Sequence, residues 1–128
     1  MSSFEAVFGS ASPVSGAPYS PAVRAGNLLF ISGQLGLDPE TKKPIADFEQ
    51  QTEAVIASLR KLLEAAGGSL ENVVKTTVFL ADLSNFAHLN EIYVRHFSNG
   101  VKPARSTFQV AALPLGADIE IEAIAVLP

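Results

Sequence analysis

The sequence predicts an α+β fold, in which a mixed β-sheet carries two helices on one of its faces. The first observation is the order of elements, which runs from strands to a helix, a strand, a second helix and two closing strands. The second is a hydrophobic fraction of 48% with only 17% charged residues, which is more apolar surface than one covered sheet face needs. Because two helices cover one face, we expect the other to be buried by self-association. At 128 residues the chain fits one domain, residues 1–128.

The N-terminal part is predicted to be strands separated by loops. Its first run alternates apolar and polar side chains like a short strand, and a Ser-, Pro-, Gly- and Ala-rich stretch follows it. An Ala-Gly-Asn turn then predicts a hairpin, because Gly and Asn tolerate positive φ. The predicted segments are strands over residues 4–8, 19–25 and 28–34 and loops over residues 9–18 and 35–44.

The C-terminal part contains both helices. The first is predicted from apolar residues at helical spacing and ends at Gly67-Gly68; its apolar positions are Val55, Ile56, Leu59, Leu62, Leu63 and Ala66. The second spans about residues 85–97 and places Phe86, Leu89, Tyr93 and Phe97 on one face. β-branched and apolar runs predict a buried strand over residues 73–81 and closing strands over 104–111 and 119–127.

Composition excludes several classes of function. The net charge of −4 and the scattered Lys and Arg residues argue against a nucleic-acid groove, which needs a basic surface. The chain has no cysteine, so it cannot form a disulfide or a thiolate metal site. His88 and His96 have no third histidine near them, and we interpret them as exposed helix residues and not as metal ligands. No signal segment or run of apolar residues long enough to cross a membrane is evident, so a soluble cytoplasmic protein is expected.

One cation stands in the apolar closing segment. Arg105 lies inside residues 103–114, and the last strand carries Glu120 and Glu122. A half-buried guanidinium suits a small carboxylate because its planar fork donates two parallel hydrogen bonds; the alternative is a space-filling ion pair with Glu120 or Glu122. If the two closing strands pair as a hairpin, Arg105 and Glu120 share a face about 13 Å apart.

Five local motifs resemble one family. They occur in order and at matching separations between Tyr19 and the C-terminus, and they are Ile31-Ser32-Gly33-Gln34, residues 74–80, Phe86 with Asn90 and Tyr93, Pro103-Ala104-Arg105-Ser106, and residues 119–125. On these motifs the chain resembles the YjgF/YER057c/UK114 family, whose members are called RidA proteins and act as reactive-intermediate deaminases. The resemblance implies a chorismate-mutase-like fold and a homotrimer with ligand clefts between subunits.

The resemblance also implies roles for particular residues. Arg105 matches the arginine that clamps the substrate carboxylate, and Glu120 matches the acid that orients or activates water, for which reason it is preferred over Glu122. Four positions depart from the family pattern. Thr107 replaces a common cysteine and Lys102 an aromatic residue, and relatives often carry an acid at the position of Gln109 and a basic residue at that of Ala112. The positions implied for substrate binding are Tyr19, Ser32, Gly33, Asn90, Arg105 and Thr107.

The implied activity is hydrolysis of 2-imino or enamine acids, such as 2-iminobutanoate and 2-iminopropanoate, to 2-oxo acids and ammonia. The reaction needs a fixed carboxylate, a positioned water and proton transfers, so we expect neither a metal nor an organic cofactor. Small 2-imino or 2-oxo acids and copies of this chain are the expected partners, without nucleic acid or membrane. A non-catalytic trimer that senses 2-oxo acids is the alternative, and an endoribonuclease or translation inhibitor is less favoured.

Overall fold

The computed structural model describes residues 3–9 and 17–128. Its strands are β1 (Phe4–Val7), β2 (Ala22–Ala25), β3 (Leu28–Leu35), β4 (Val73–Leu80), β5 (Ala104–Gln109) and β6 (Ile119–Val126), and its helices are α1 (Phe48–Ala65) and α2 (Phe86–Tyr93). The predicted α+β class and element order are therefore confirmed. Most of the loop predicted over residues 9–18 lies outside the described residues. No helix in the described ranges is long and apolar enough to cross a bilayer.

The strands form one sheet in the order β1-β2-β3-β6-β4-β5. Neighbouring strands are antiparallel except for β4 and β5, which are parallel and connected through α2. The predicted turn between β2 and β3 is confirmed, and Gly26 adopts the positive φ of 62° that favours glycine. The first strand of this hairpin is shorter than predicted because it begins only after Pro21.

The predicted hairpin of the two closing strands is wrong, because β4 lies between β5 and β6. The two strands suit different places in the sheet. Every second residue of β6 is buried, as befits a strand hydrogen-bonded on both sides. β5 contains no buried residue and carries Arg105, Ser106 and Thr107, which suits the edge of the sheet.

Helix α1 supplies the largest part of the core. It begins after Asp47, whose carboxylate accepts a hydrogen bond from the Gln50 amide, and Gly67 follows its end with φ of 85°. Its buried stripe packs against β3 and β6, and the buried apolar residues of this stripe are Val55, Ile56, Leu59, Leu62 and Leu63. Burying such side chains stabilises the fold by about 1.5–3 kcal/mol each.

Helix α2 is shorter than the predicted span of residues 85–97. Beyond Tyr93 the amides of Arg95 and His96 donate to the carbonyls of Ile92 and Tyr93, so the chain continues in tighter turns. Phe97 is buried all the same, as the pattern predicted. His96 lies in this turn and not on the helix, and its side chain is only 18% exposed. The expectation of two exposed helix histidines is therefore wrong for His96.

The sheet face opposite the helices is bare in the single chain. Leu28, Phe30, Phe108 and Val126 are between 36% and 53% exposed there. Glu120 points to the same face as these side chains, because Phe79 of β4 is the register partner of both Glu120 and Phe108. We call this surface the open face. It matches the expectation that the helices cover only one side of the sheet.

Candidate functional site

Arg105 points to the helix-covered side of the sheet from the edge strand β5. It pairs directly with Thr76 of β4, and directly paired residues point to the same face. The Arg105 Cζ atom lies 4.8 Å from the ring centroid of Tyr93 and 5.5 Å from that of Phe86. Pro103 stands just before β5, where a missing amide donor costs no ladder hydrogen bond. The guanidinium therefore rests against two aromatic rings of α2.

A cavity of about 280 Å³ opens beside Arg105. Asn90, Tyr93 and Lys102 are among the residues that line it, and none of the described residues in its wall is acidic. A cavity of this size with an arginine and an asparagine amide suits a small anionic molecule. Asn90 therefore lies beside Arg105, and Lys102 adds a second cation to the wall. We call this cavity the arginine pocket.

Tyr93 forms part of the arginine pocket and is fixed on two sides. Its hydroxyl lies 2.7 Å from the hydroxyl of Thr76, and its ring stacks on Phe97 with centroids 4.4 Å apart. Burial raises the pKa of Tyr93, and the hydrogen bond with Thr76 and the positive charge of Arg105 offset part of that rise. The phenol is therefore neutral at physiological pH.

Thr107 lies two residues beyond Arg105 on the same face of β5. It pairs with Val78 of β4. Its Oγ1 atom is buried and has no hydrogen-bond partner among the residues that the structure describes. Thr107 is not among the residues that line the arginine pocket.

Glu120 points to the opposite side of the sheet from Arg105. It pairs with Phe79 of β4, three residues from Thr76, and an odd separation on one strand means opposite faces. The predicted shared face is therefore wrong, because β4 is inserted between the two strands and changes the register. Burial raises the pKa of Glu120, and the negative charge of Glu122 raises it further.

The acid occupies a second and larger cavity of about 450 Å³. Tyr19, Gly33 and Glu120 are among the residues that line it, so three of the predicted site residues share one space. We call this cavity the glutamate pocket. Its wall includes both the strand β3 and the loop before β2.

A bulge in β3 gives the glutamate pocket its shape. The pairing of β3 with β6 is interrupted between Ile31 and Gln34. Gly33 lies in this bulge, and a Cβ atom there would lie 2.7 Å from the Glu120 Cδ atom, so any larger residue displaces the carboxylate. The Ser32 hydroxyl donates to the Ser20 carbonyl at 2.7 Å and ties the bulge to the loop that carries Tyr19.

The predicted site residues thus fall into two groups within one chain. Asn90, Arg105 and Thr107 lie on the helix-covered side, whereas Glu120 lies on the open face with Gly33 and Tyr19 beside it. Sequence reasoning assigned no role to Thr76 and placed Tyr93 only on one face of the second helix. The signal for Thr76 was its position as a polar residue in a buried strand. Among the described residues, no cluster of three metal-ligating side chains occurs.

Comparison with known proteins finds one family. The sequence profile described as Endoribonuclease L-PSP matches residues 9–127. The chain is 53% identical over 116 residues to Reactive Intermediate Deaminase A, chloroplastic, of Arabidopsis thaliana, covering 90% of this chain but only 62% of that relative's length. It is 46% identical over 115 residues to the 2-iminobutanoate/2-iminopropanoate deaminase of Mus musculus, covering 89% of this chain and 84% of the relative.

Solved structures agree with these sequence matches. RidA from an Antarctic Psychrobacter bacterium is 46% identical, with a TM-score of 0.87 over 96% of this chain and 99% of the other. E. coli TdcF with bound serine is 36% identical, with a TM-score of 0.88 over 97% and 99% of the two chains. The fold and the sequence motifs therefore point to the same set of relatives.

Proposed function

Since the chain belongs to the Endoribonuclease L-PSP family, which includes the reactive intermediate deaminases called RidA proteins, we propose that it hydrolyses 2-imino acids to 2-oxo acids and ammonia. The substrates are small, such as 2-iminobutanoate and 2-iminopropanoate. The observation that carries the proposal is a half-buried arginine in a pocket to which the described part of the chain contributes no acidic residue. A relative with 46% identity bears the name of this activity.

The catalytic step divides between Arg105 and Glu120. Arg105 holds the substrate carboxylate through paired hydrogen bonds and so fixes the imine carbon. Glu120 takes a proton from a water molecule as the water oxygen bonds to that carbon, which gives a tetrahedral intermediate. It then returns the proton to nitrogen, which gives a carbinolamine. A second proton passes from the new hydroxyl group through Glu120 to the nitrogen as the carbon–oxygen double bond forms, the carbon–nitrogen bond breaks and ammonia leaves. The raised pKa of Glu120 makes it a stronger base than an exposed glutamate.

A complete site requires two chains in this proposal. Arg105 and Glu120 of one chain point to opposite faces of its sheet, so one side chain cannot act on a substrate held by the other. We infer that the arginine pocket of one subunit meets the glutamate pocket of the next in a homotrimer. The exposed apolar side chains of the open face supply the surface that such an assembly buries.

The remaining predicted residues are assigned to substrate binding. Tyr19, Ser32 and Gly33 shape the glutamate pocket, and Asn90 and Thr107 lie on the arginine side of the cleft. The chain acts as one RidA-like domain without a metal or organic cofactor. A cytoplasmic location stays a prediction, because the relatives include one named as chloroplastic.

The activity is tested by measuring ammonia release from an imine that is generated in situ. A pyridoxal-phosphate-dependent dehydratase generates 2-iminobutanoate from threonine, and the loss of the imine is followed with and without this protein. We expect faster ammonia release at catalytic amounts of the protein. A rate equal to spontaneous hydrolysis contradicts the proposal.

Ligand binding without turnover is the second candidate. It is favoured by one observation on a relative, the serine bound in E. coli TdcF. The arginine pocket would serve such a sensor equally well, so only turnover separates the two. Binding of 2-oxobutanoate, measured by calorimetry, without any acceleration of imine hydrolysis supports the sensor.

RNA cleavage, which the family description suggests, is not expected at a net charge of −4.

A further inference from the structure

Within residues 3–9 and 17–128, Arg105 forms no ion pair. Hydrogen bonds from arginine side chains in the described chain belong to Arg24, Arg60 and Arg95. The ion pairs among the described residues involve Arg95 and the two histidines, not Arg105. The described residues therefore leave the donor groups of the Arg105 guanidinium free for a ligand. Something other than a carboxylate must fix the position of this half-buried cation.

Two aromatic rings provide that fixation. The Arg105 Cζ atom lies within 6 Å of the ring centroids of both Tyr93 and Phe86, which is the range in which a cation is attracted to an aromatic face. Stacking on a ring uses the face of the guanidinium and leaves the N–H groups at its edge free. A carboxylate partner would hold Arg105 as well, but it would compete with the substrate for the same donors.

Tyr93 is itself held in a defined position. Its ring stacks on Phe97 at an interplanar angle of 26°, and its hydroxyl lies 2.7 Å from that of Thr76. Thr76 is fully buried and is the direct register partner of Arg105. The strand residue beside Arg105 therefore fixes the ring that supports the Arg105 side chain. Contacts therefore connect Thr76 of β4 to Tyr93 of α2, Tyr93 to Arg105 of β5, and Arg105 to Thr76 through strand pairing.

We propose that Tyr93 is a positioning residue for the carboxylate clamp and that the Thr76 hydroxyl locks it in place. The two residues hold the guanidinium in the orientation that a carboxylate requires, without using its donors. The role assigned to the bound carboxylate rests on the proposed function. The orientation of Arg105 can be measured without any ligand.

The test uses two variants that remove one hydroxyl each. Tyr93→Phe keeps the ring, and Thr76→Val keeps the volume of the side chain. For both we expect the KM for 2-iminobutanoate and the Kd for 2-oxobutanoate to rise about three- to tenfold, with little change in kcat. The effects should not add in the double variant, because each single change already removes the same hydrogen bond. Tyr93→Leu removes the ring and should raise both constants about tenfold or more.

The matched control is Thr52→Val. Thr52 is also fully buried, and its hydroxyl has no partner among the described residues, so this change should leave KM and Kd unaltered. In an Arg105→Ala background, Tyr93→Phe should have no further effect on binding, because Tyr93 acts through Arg105. Thermal unfolding separates any general loss of stability from these binding effects.

A ligand-free measurement keeps the test independent of turnover. ¹⁵N relaxation of the Arg105 Nε–Hε group, assigned by its absence from Arg105→Lys, should report an ordered side chain in the native protein and a mobile one in Tyr93→Leu. Unchanged order of the Arg105 side chain in Tyr93→Leu overturns the positioning role. So does an unchanged Kd for 2-oxobutanoate in the Tyr93 variants. The role also fails if Tyr93→Phe weakens binding as much in the Arg105→Ala background as in the native protein. If the protein hydrolyses no imine but Arg105 loses order in Tyr93→Leu, the proposed activity fails and the positioning role stands.

Discussion

At the scale of single residues, Arg105 combines partial burial, aromatic support and donor groups that no described residue engages. Its proposed partner is a carboxylate, and binding a carboxylate through two parallel bonds needs the planar fork of arginine. Arg105→Lys keeps the charge but offers only a compact donor. We therefore expect a fall of at least about tenfold in kcat/KM for 2-iminobutanoate.

Arg105→Ala should lower activity further while the protein still folds, because Arg105 lines a cavity and is not part of the buried core. Steady-state kinetics with circular dichroism measures both effects. Near-normal hydrolysis by the alanine variant would contradict the whole site assignment.

A substitution of Glu120 should slow turnover without weakening ligand binding. Glu120→Gln keeps the shape of the side chain but removes the base, so the rate should fall about 10²- to 10⁴-fold while 2-oxobutanoate still binds. Calorimetry and single-turnover kinetics measure the two effects. Loss of binding together with rate would assign Glu120 to the substrate site and not to proton transfer.

The same variant should change stability in a pH-dependent way. Burial and Glu122 raise the pKa of Glu120 in the folded state, so the ionised carboxylate disfavours folding at neutral pH. Glu120→Gln should therefore raise the free energy of unfolding at pH 7. The difference should shrink as pH falls through the raised pKa and vanish below the ordinary glutamate value. Urea unfolding from pH 7 to pH 4 tests this, and a gain that grows toward acid pH contradicts it.

At the scale of elements, charged side chains join α1 to the segment that carries the arginine pocket. Glu49 of α1 lies 3.1 Å from both the His88 Nε2 and an Arg95 terminal nitrogen, and Glu53 lies 2.9 Å from the His96 Nε2. Arg60 of α1 donates to the other ring nitrogen of His96 at 3.2 Å. Because that nitrogen accepts from Arg60, the Nε2 atom is the ring nitrogen that donates to Glu53.

Substitution of Glu49 tests the ion pairs that join α1 to His88 and Arg95. The hydrogen bonds from His88 and Arg95 lower the pKa of Glu49, so its stabilising effect is present above the ordinary glutamate value and is lost as pH falls through the lowered pKa. The stability difference between native protein and Glu49→Gln should therefore be largest near neutral pH and disappear in acid. Glu91→Gln is the control, since Glu91 is exposed and forms no ion pair among the described residues. Equal pH profiles for the two variants contradict the prediction.

The elements were predicted more accurately than their pairing. Helical spacing and β-branched runs identified α1, β4 and β6, because those patterns depend on local burial. The neighbours of β5 could not be predicted in the same way. A loop between consecutive strands is compatible with a hairpin, and nothing in residues 110–118 indicates that β4 lies between them. The sequence therefore identified Arg105 and Glu120 as candidates but placed them on the wrong faces relative to each other.

At the scale of the whole molecule, the open face predicts the assembly. Phe30 and Phe108 are 42% and 53% exposed on it, and apolar side chains so placed favour contact with another chain. We expect sedimentation equilibrium to show a trimer at micromolar concentration. Phe30→Asp should shift it toward monomer and abolish imine hydrolysis, whereas Val101→Asp, in a loop at 90% exposure, should not dissociate it. A folded monomer with full activity contradicts an active site shared between subunits.

Arg105 and Glu120 of one chain point to opposite faces of its sheet. An Arg105 substitution in one subunit and a Glu120 substitution in another can therefore damage different sites. If each site takes its arginine from one subunit and its glutamate from the next, Arg105→Ala and Glu120→Gln chains complement each other when co-expressed. Random mixing in equal amounts leaves about one quarter of the sites with both native residues. Neither variant alone should approach that rate, and a mixture no more active than its parents means that each chain builds its own site. Inheritance of two inactive alleles would then give an active protein.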